Sequence, residues 1–267
     1  MHKPIFSADD FGLTISVNEA VERAYTEGVL TQASLMVAAP AAADAVARAK
    51  KFPGLNTGLH LVLVEGDSML GHTKLPNITT PEGKFSKDQA ALGVKYFFSP
   101  AARRELKAEI QAQFAAYAAT GLKLHHADAH KHMHLHPTVA KIMIETGKKF
   151  GLTRIRIPAE PPAILKLCGE KPALGEHALF LWSRLLRFQA RGLSTTRFVF
   201  GLKWSGHMTA ERVRKLMRNL PDRETEIYFH PATSRDENLI RLMPDYEHVA
   251  EFQVLLALKA DASPAKP

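Results

Sequence analysis

Seven short, β-prone apolar runs, mostly separated by helical patterns, set the limits on what this chain can fold into. Pro4–Asp9, Gln32–Ala38, Asn56–Val64, Leu124–Leu135, Thr153–Ile157, Phe198–Lys203 and Thr225–Phe229 read as strands. Ser16–Gly28, Ala41–Phe52, Ala101–Thr120, Pro137–Phe150, Thr209–Asn219 and Pro244–Lys259 read as helices. In the first of these, Val17, Ala20, Val21 and Ala24 share one face, the spacing of a helix packed on a sheet. Strand–helix alternation builds parallel sheets with right-handed crossovers. At 267 residues the expectation is one α/β domain spanning 1–267, a TIM-like (β/α) barrel, incomplete or irregular, of about seven parallel strands. An open doubly wound sheet is the other architecture of this size. No G-x-G-x-x-G follows the first strand, so a dinucleotide fold has no support.

Polar residues gather where such strands end. Asp9 and Asp10 close the first run, His60 lies late in the third, and His230 closes the last. His125, His126, Asp128, His130, His132, His134 and His136 crowd the end of the fourth. In a parallel barrel these ends converge on one face, where active sites are built. A single strand-end histidine is usually a structural hydrogen-bonding residue; the joint placement is what points to a site. One of Asp9 and Asp10 could instead cap the helix that follows.

His130, His132 and His134 alternate, so an extended backbone would put them on one face. Imidazoles with a carboxylate are ligands for zinc and similar ions, and three such ligands leave a position open for water. Histidines beyond the ligand set, with Asp128, would orient ligands or bind substrate. There is no G-x-S-x-G, P-loop or H-E-x-x-H. The one cysteine, Cys168, excludes a disulfide framework and sits in an apolar stretch that predicts burial. A lone cysteine and the lack of a signal-like start lead to a cytoplasmic expectation.

The order and content of the motifs resemble the YdjC-like carbohydrate deacetylases, which include the chitooligosaccharide deacetylases (ChbG-like). The matching segments are Ser7-Ala8-Asp9-Asp10-Phe11-Gly12-Leu13, Leu30-Thr31-Gln32-Ala33-Ser34-Leu35-Met36, Gly58-Leu59-His60-Leu61, Asp128 to Pro137, and Phe229-His230-Pro231. Tyr96-Phe97-Phe98-Ser99, the Arg-rich helix after it and His136-Pro137-Thr138 resemble the hopanoid-biosynthesis branch (HpnK). The resemblance implies an incomplete barrel that removes acetyl groups from N-acetylated sugars with one divalent metal, zinc or magnesium. It maps the metal ligands onto Asp10, His60 and His130, the base onto Asp9, and a residue near the acetyl group onto His230. Asp128, His132 and His134 remain as substrate-binding or ligand-orienting residues, His132 being the other candidate proton donor. Ala129 and Lys131 depart from the usual pattern, so a chitooligosaccharide substrate is not implied. The implied partner is an N-acetylated hexosamine, on an oligosaccharide or a glycolipid such as an N-acetylglucosaminyl hopanoid, and the family implies a homodimer. A phosphoesterase or glycoside hydrolase on the same fold, or a non-catalytic sugar-binding protein, are the rival readings.

The net charge is +8, concentrated in residues 141–220. No nucleic-acid motif accompanies it, so no nucleic-acid partner is expected. Residues 159–193 read as a basic, apolar, helical insertion, and 260–267 as a flexible tail. Within the insertion, Ala178, Leu179, Leu181, Trp182, Leu185 and Leu186 fall on one arc at about 100° per residue, opposite Arg184, Arg187 and Arg191. That arc suits either a barrel helix packed on the core or an interfacial helix in peripheral contact with a membrane.

Overall fold

A computed structural model describes residues 3–262 of the chain. Six parallel strands form one curled sheet, an incomplete barrel, in the order β4-β3-β2-β1-β6-β5. These are β1 (Ile5–Phe11), β2 (Gln32–Leu35), β3 (Asn56–Leu61), β4 (Ala127–Ala129), β5 (Phe198–Phe200) and β6 (Thr225–Phe229). The expected seventh strand, Thr153–Ile157, is reduced to two isolated bridges, Ala127↔Ile155 and Arg154↔Ser194. Its backbone still fills the interval between β4 and β5: Arg156 N donates to Ala127 O, and Val199 N donates to Ala159 O.

The connecting helices follow the sequence pattern closely. They are α1 (Ile15–Thr26), α2 (Ala42–Lys51), α4 (Pro100–Ala119), α5 (Pro137–Lys149), α8 (Ala210–Asn219) and α10 (His248–Ala262), with α3 (Gln89–Phe98) starting in residues 65–95, whose Gly- and Pro-dotted sequence reads as a long loop. A further short helix, α9 (Glu237–Leu242), follows β6. Thr14 caps α1 by accepting from Val17 N, so neither Asp9 nor Asp10 is spent as a helix cap. The expected 159–193 insertion holds α6 (Pro162–Leu167) and α7 (Leu174–Gln189). Residues 260–262 continue α10 rather than fraying, and the rest of the expected tail, 263–267, lies outside the described residues.

Two departures shape the site. The fourth strand stops at Ala129, and His130–Leu135 coils into a tight 3-10 segment in which Lys131 (φ 49°) and His132 (φ 54°) take left-handed backbone. The alternation expected to put His130, His132 and His134 on one face is therefore lost. In α7 the apolar arc splits. Leu186 and Ser183 are buried, whereas Leu181, Trp182 and Leu185 are exposed and Arg187 bonds to the Thr195 hydroxyl and to the carbonyls of Thr196 and Arg197.

Candidate metal and active site

The concave side of the sheet is polar at its centre. Arg156 is buried, and its guanidinium binds carboxylates from three strands. Nη1 lies 2.7 Å from both oxygens of Asp9 and 2.5 Å from Asp128 Oδ2, and Nε lies 2.9 Å from Glu226 Oε1. Ser7 and Gln32 also donate to Glu226 Oε1, at 2.7 and 2.9 Å, and Ser34 donates to Asp128 Oδ2 at 2.9 Å. Burial would push the Arg156 proton off, but Asp128, Asp9 and Glu226 overcome it and hold the group charged, well above its ordinary value. The network satisfies charges that would otherwise be costly to bury.

Asp9 and Asp10 reach one site because β1 bulges there. Ala8 pairs with Ala33 but Phe11 pairs with Leu35, so Asp9 and Asp10 share the space opposite Ser34. Asp10 takes φ 61°, a left-handed conformation in which aspartate is among the least penalised residues. The bulge turns both carboxylates off the simple in–out alternation of a strand.

Asp10 Oδ1 lies 3.1 Å from His130 Nδ1 and 3.5 Å from His60 Nε2. His60 Nδ1 in turn is 2.7 Å from Asp128 Oδ1. A carboxylate only accepts, so Nδ1 carries hydrogen and neutral His60 leaves Nε2 bare beside Asp10. This is the orientation of a metal-ligating histidine held by an outer carboxylate. Burial would raise the Asp10 pKa, but His130 and His60 bring it well below the usual carboxylate range. Burial lowers His60, and Asp128 with Asp10 outweighs it, raising the ring to about 10 in the metal-free protein.

Two groups of three among the described residues have ligand atoms close enough to share an ion: Asp10–His60–His130 and Asp9–His60–Asp128. In the second, the Arg156 guanidinium already lies between Asp9 and Asp128. In the first, Asp10 Oδ2 is buried and has no hydrogen-bond partner. An orphaned carboxylate oxygen among two imidazoles, beside three further buried carboxylates that share one guanidinium, fits a divalent cation. The mixed N/O donor set is one that zinc takes readily.

The other predicted residues sit around this group. His230 stacks edge-on to Tyr228 and Tyr246, and its Nδ1 is buried without a hydrogen bond, 4.0 Å from Glu251 Oε2. His132 Nε2 lies 2.9 Å from the Tyr228 hydroxyl, and His134 Nε2 donates to Arg156 O at 3.1 Å. His132 and His134 are therefore turned away from the Asp10 group, and burial holds both neutral, His134 at about 4. His126 lies against Gly58, where a Cβ would sit 2.3 Å from the ring. Ser34 spends its proton on Asp128, so the network assigns hydrogen to His126 Nε2, donating to Ser34 Oγ. Burial brings His126 down to about 3.

Sequence reasoning missed Arg156, Glu226 and Tyr228. A usable signal existed: Arg156 stands between Ile155 and Ile157, and Glu226 inside Thr225–Phe229, charged residues in runs otherwise fit for burial.

The YdjC-like protein family matches residues 4–262. The chain is a YdjC-like protein. It is 36% identical over 160 residues to a carbohydrate deacetylase of Brevibacillus brevis, a match covering 60% of this chain and 59% of that one. A carbohydrate deacetylase of Vibrio cholerae is 36% identical over 148 residues, 55% of this chain and 56% of that one. One of Geobacillus stearothermophilus is 32% identical over 158 residues, 59% and 58%. The YdjC-like protein thus spans little more than half the length of these curated relatives. A solved structure from Enterococcus faecalis, described as a candidate cellobiose-phosphate cleavage protein, superposes with a TM-score of 0.76 at 20% identity, over 96% of this chain and 92% of that one. That likeness speaks for the fold. No helix among the described residues is long and apolar enough to cross a membrane.

Proposed function

We propose that this YdjC-like protein is a carbohydrate deacetylase that hydrolyses the N-acetyl amide of a hexosamine. The observation that carries the reading is the Asp10–His60–His130 group, with its orphaned Asp10 oxygen, set beside the Arg156-bound Asp9. The names of the curated relatives supply the substrate class.

Asp10, His60 and His130 would hold one divalent ion, zinc or magnesium. Bound there, such an ion would polarise an acyl oxygen, and zinc would lower the pKa of water to ~7. Asp9 takes a proton from the attacking water, and Arg156 fixes the direction of both its oxygens. His230, which packs on the Tyr228 and Tyr246 rings with its Nδ1 4.0 Å from Glu251 Oε2, would give a proton to the departing amine. Asp128 holds the His60 tautomer, and His134 holds the backbone of Arg156. His132, bound to Tyr228 and kept neutral by burial, positions that tyrosine at the edge of the site.

The finer substrate reading, an N-acetylglucosaminyl glycolipid of the hopanoid type, rests on the resemblance of Tyr96–Ser99 and His136–Thr138 to that branch. Acetate release is the deciding assay, run on N-acetylglucosamine oligomers and on an N-acetylglucosaminyl lipid, with and without chelator. The expected result is chelator-sensitive release, faster on the lipid. Cleavage of phosphate esters or glycosidic bonds with no acetate formed would overturn it.

A further inference from the structure

Exposed apolar side chains collect on two helices beside the site. Val94, Phe97 and Phe98 of α3 and Leu181, Leu185 and Phe188 of α7 are all exposed. None is needed to seat its helix, because Leu92 and Tyr96 anchor α3, and Ser183 and Leu186 anchor α7. The two helices wall one groove: Gly93 lines it from α3, Leu179 and Trp182 from α7, and His132 and Met133 from its floor. The groove runs toward the His132–Tyr228 edge of the polar site.

Within the stretches that carry these tips the charge has one sign, and the acids Asp88, Glu105 and Glu176 stand only at their ends. Residues 89–104 contain Lys95, Arg103 and Arg104 and no acid. Residues 177–210 contain five basic side chains, Arg184 and Arg191 among them, and no acid. Arg103 of α4, Lys141 of α5 and Gln189 of α7 line one shallow pocket, which sets two further cations beside α7. The Arg191 guanidinium lies 4.1 Å from the Phe188 ring centroid, so cation and aromatic present together. Aromatic and aliphatic tips bordered by arginine match the chemistry of a bilayer interface, where tips enter the acyl boundary and cations meet lipid phosphates.

We propose that the α3–α7 face docks on an anionic lipid bilayer. Charge complementarity selects this occupant. A second copy of the chain would set one cationic border against another, which costs free energy, whereas anionic headgroups neutralise it. Docked in this way, the groove opens at the membrane surface, and a lipid-borne substrate reaches the site without leaving the bilayer.

Vesicle co-sedimentation tests this without reading turnover, so it stands or falls apart from the deacetylase assignment. The probes are vesicles of phosphatidylcholine alone and of phosphatidylcholine with phosphatidylglycerol. The expected result is partition onto the anionic vesicles, weaker on the zwitterionic ones and reduced by salt. Phe97→Ser with Phe98→Ser, and separately Arg184→Glu with Arg191→Glu, each reduce partition by at least roughly tenfold. Melting temperature and acetate release from a short soluble substrate stay unchanged. The arginine pair is fully on the surface and decides the matter if the phenylalanine pair lowers the melting temperature. Equal partition on both vesicles, or none, overturns the proposal. So does concentration-dependent self-association in sedimentation velocity that the same substitutions abolish.

Discussion

His60 and Asp128 stand opposite each other in the parallel β3–β4 register, and their Nδ1 and Oδ1 lie 2.7 Å apart. Sheet pairing itself thus delivers the carboxylate that orients the ring. Asp128→Asn keeps the side-chain shape and removes the charge. It is expected to weaken zinc affinity by about 10–100-fold while the fold persists. Calorimetric titration of the chelated protein measures this, and unchanged affinity would remove Asp128 from the site's support.

The same pair sets a pH dependence in the metal-free protein. His60 has a folded pKa of about 10, raised above an unfolded value near 6.5. Its contribution to stability is full below ~6.5 and is lost as pH rises through the folded value. Asp10 and Asp128 are depressed, so theirs is present above ~4 and is lost as pH falls through their folded values. Thermal scans in chelator should show melting falling between pH 7 and 10 by these signs, about, and the fall should flatten in Asp128→Asn. A melting temperature that rises across that window would contradict the pairing.

Arg156 answers Asp9, Asp128 and Glu226 from inside the barrel. Arg156→Met leaves these carboxylates buried without their cation, a loss of about 3–5 kcal/mol. Removing the guanidinium lets the depressed Asp128 pKa rise, so the deficit against wild type should grow as pH rises through the acidic range. Urea denaturation at both ends of that range reads the difference.

Asp9→Asn retains the Arg156 contact in part and removes the proton acceptor. Turnover should fall by about 10²–10⁴-fold with zinc binding intact. His230→Gln should lower kcat, because it removes a donor that acts on the leaving amine. If Asp9→Asn instead abolishes metal binding, Asp9 belongs to the ligand set and the assignment of base is wrong.

Much of this was legible in one dimension. Strand–helix alternation predicted a parallel, incomplete barrel, and its strand ends located Asp9, Asp10, His60, His130 and His230 together, because barrel topology brings those ends to one face. Helix periodicity and Pro or Gly boundaries placed α1, α4 and α5 to within a few residues. Tertiary structure decided the rest. The bulge at Asp9–Asp10 and the left-handed turn at Lys131–His132 override the alternation of a strand, since both conformations are held by packing rather than by local preference. The same turn separates His130 from His132 and His134. Arg156 could not be placed by pattern, because what keeps it buried is a set of carboxylates as far away as Asp9, 147 residues earlier in the chain. A residue's period reports which face it occupies; which charges meet it there depends on contacts that only the folded chain makes.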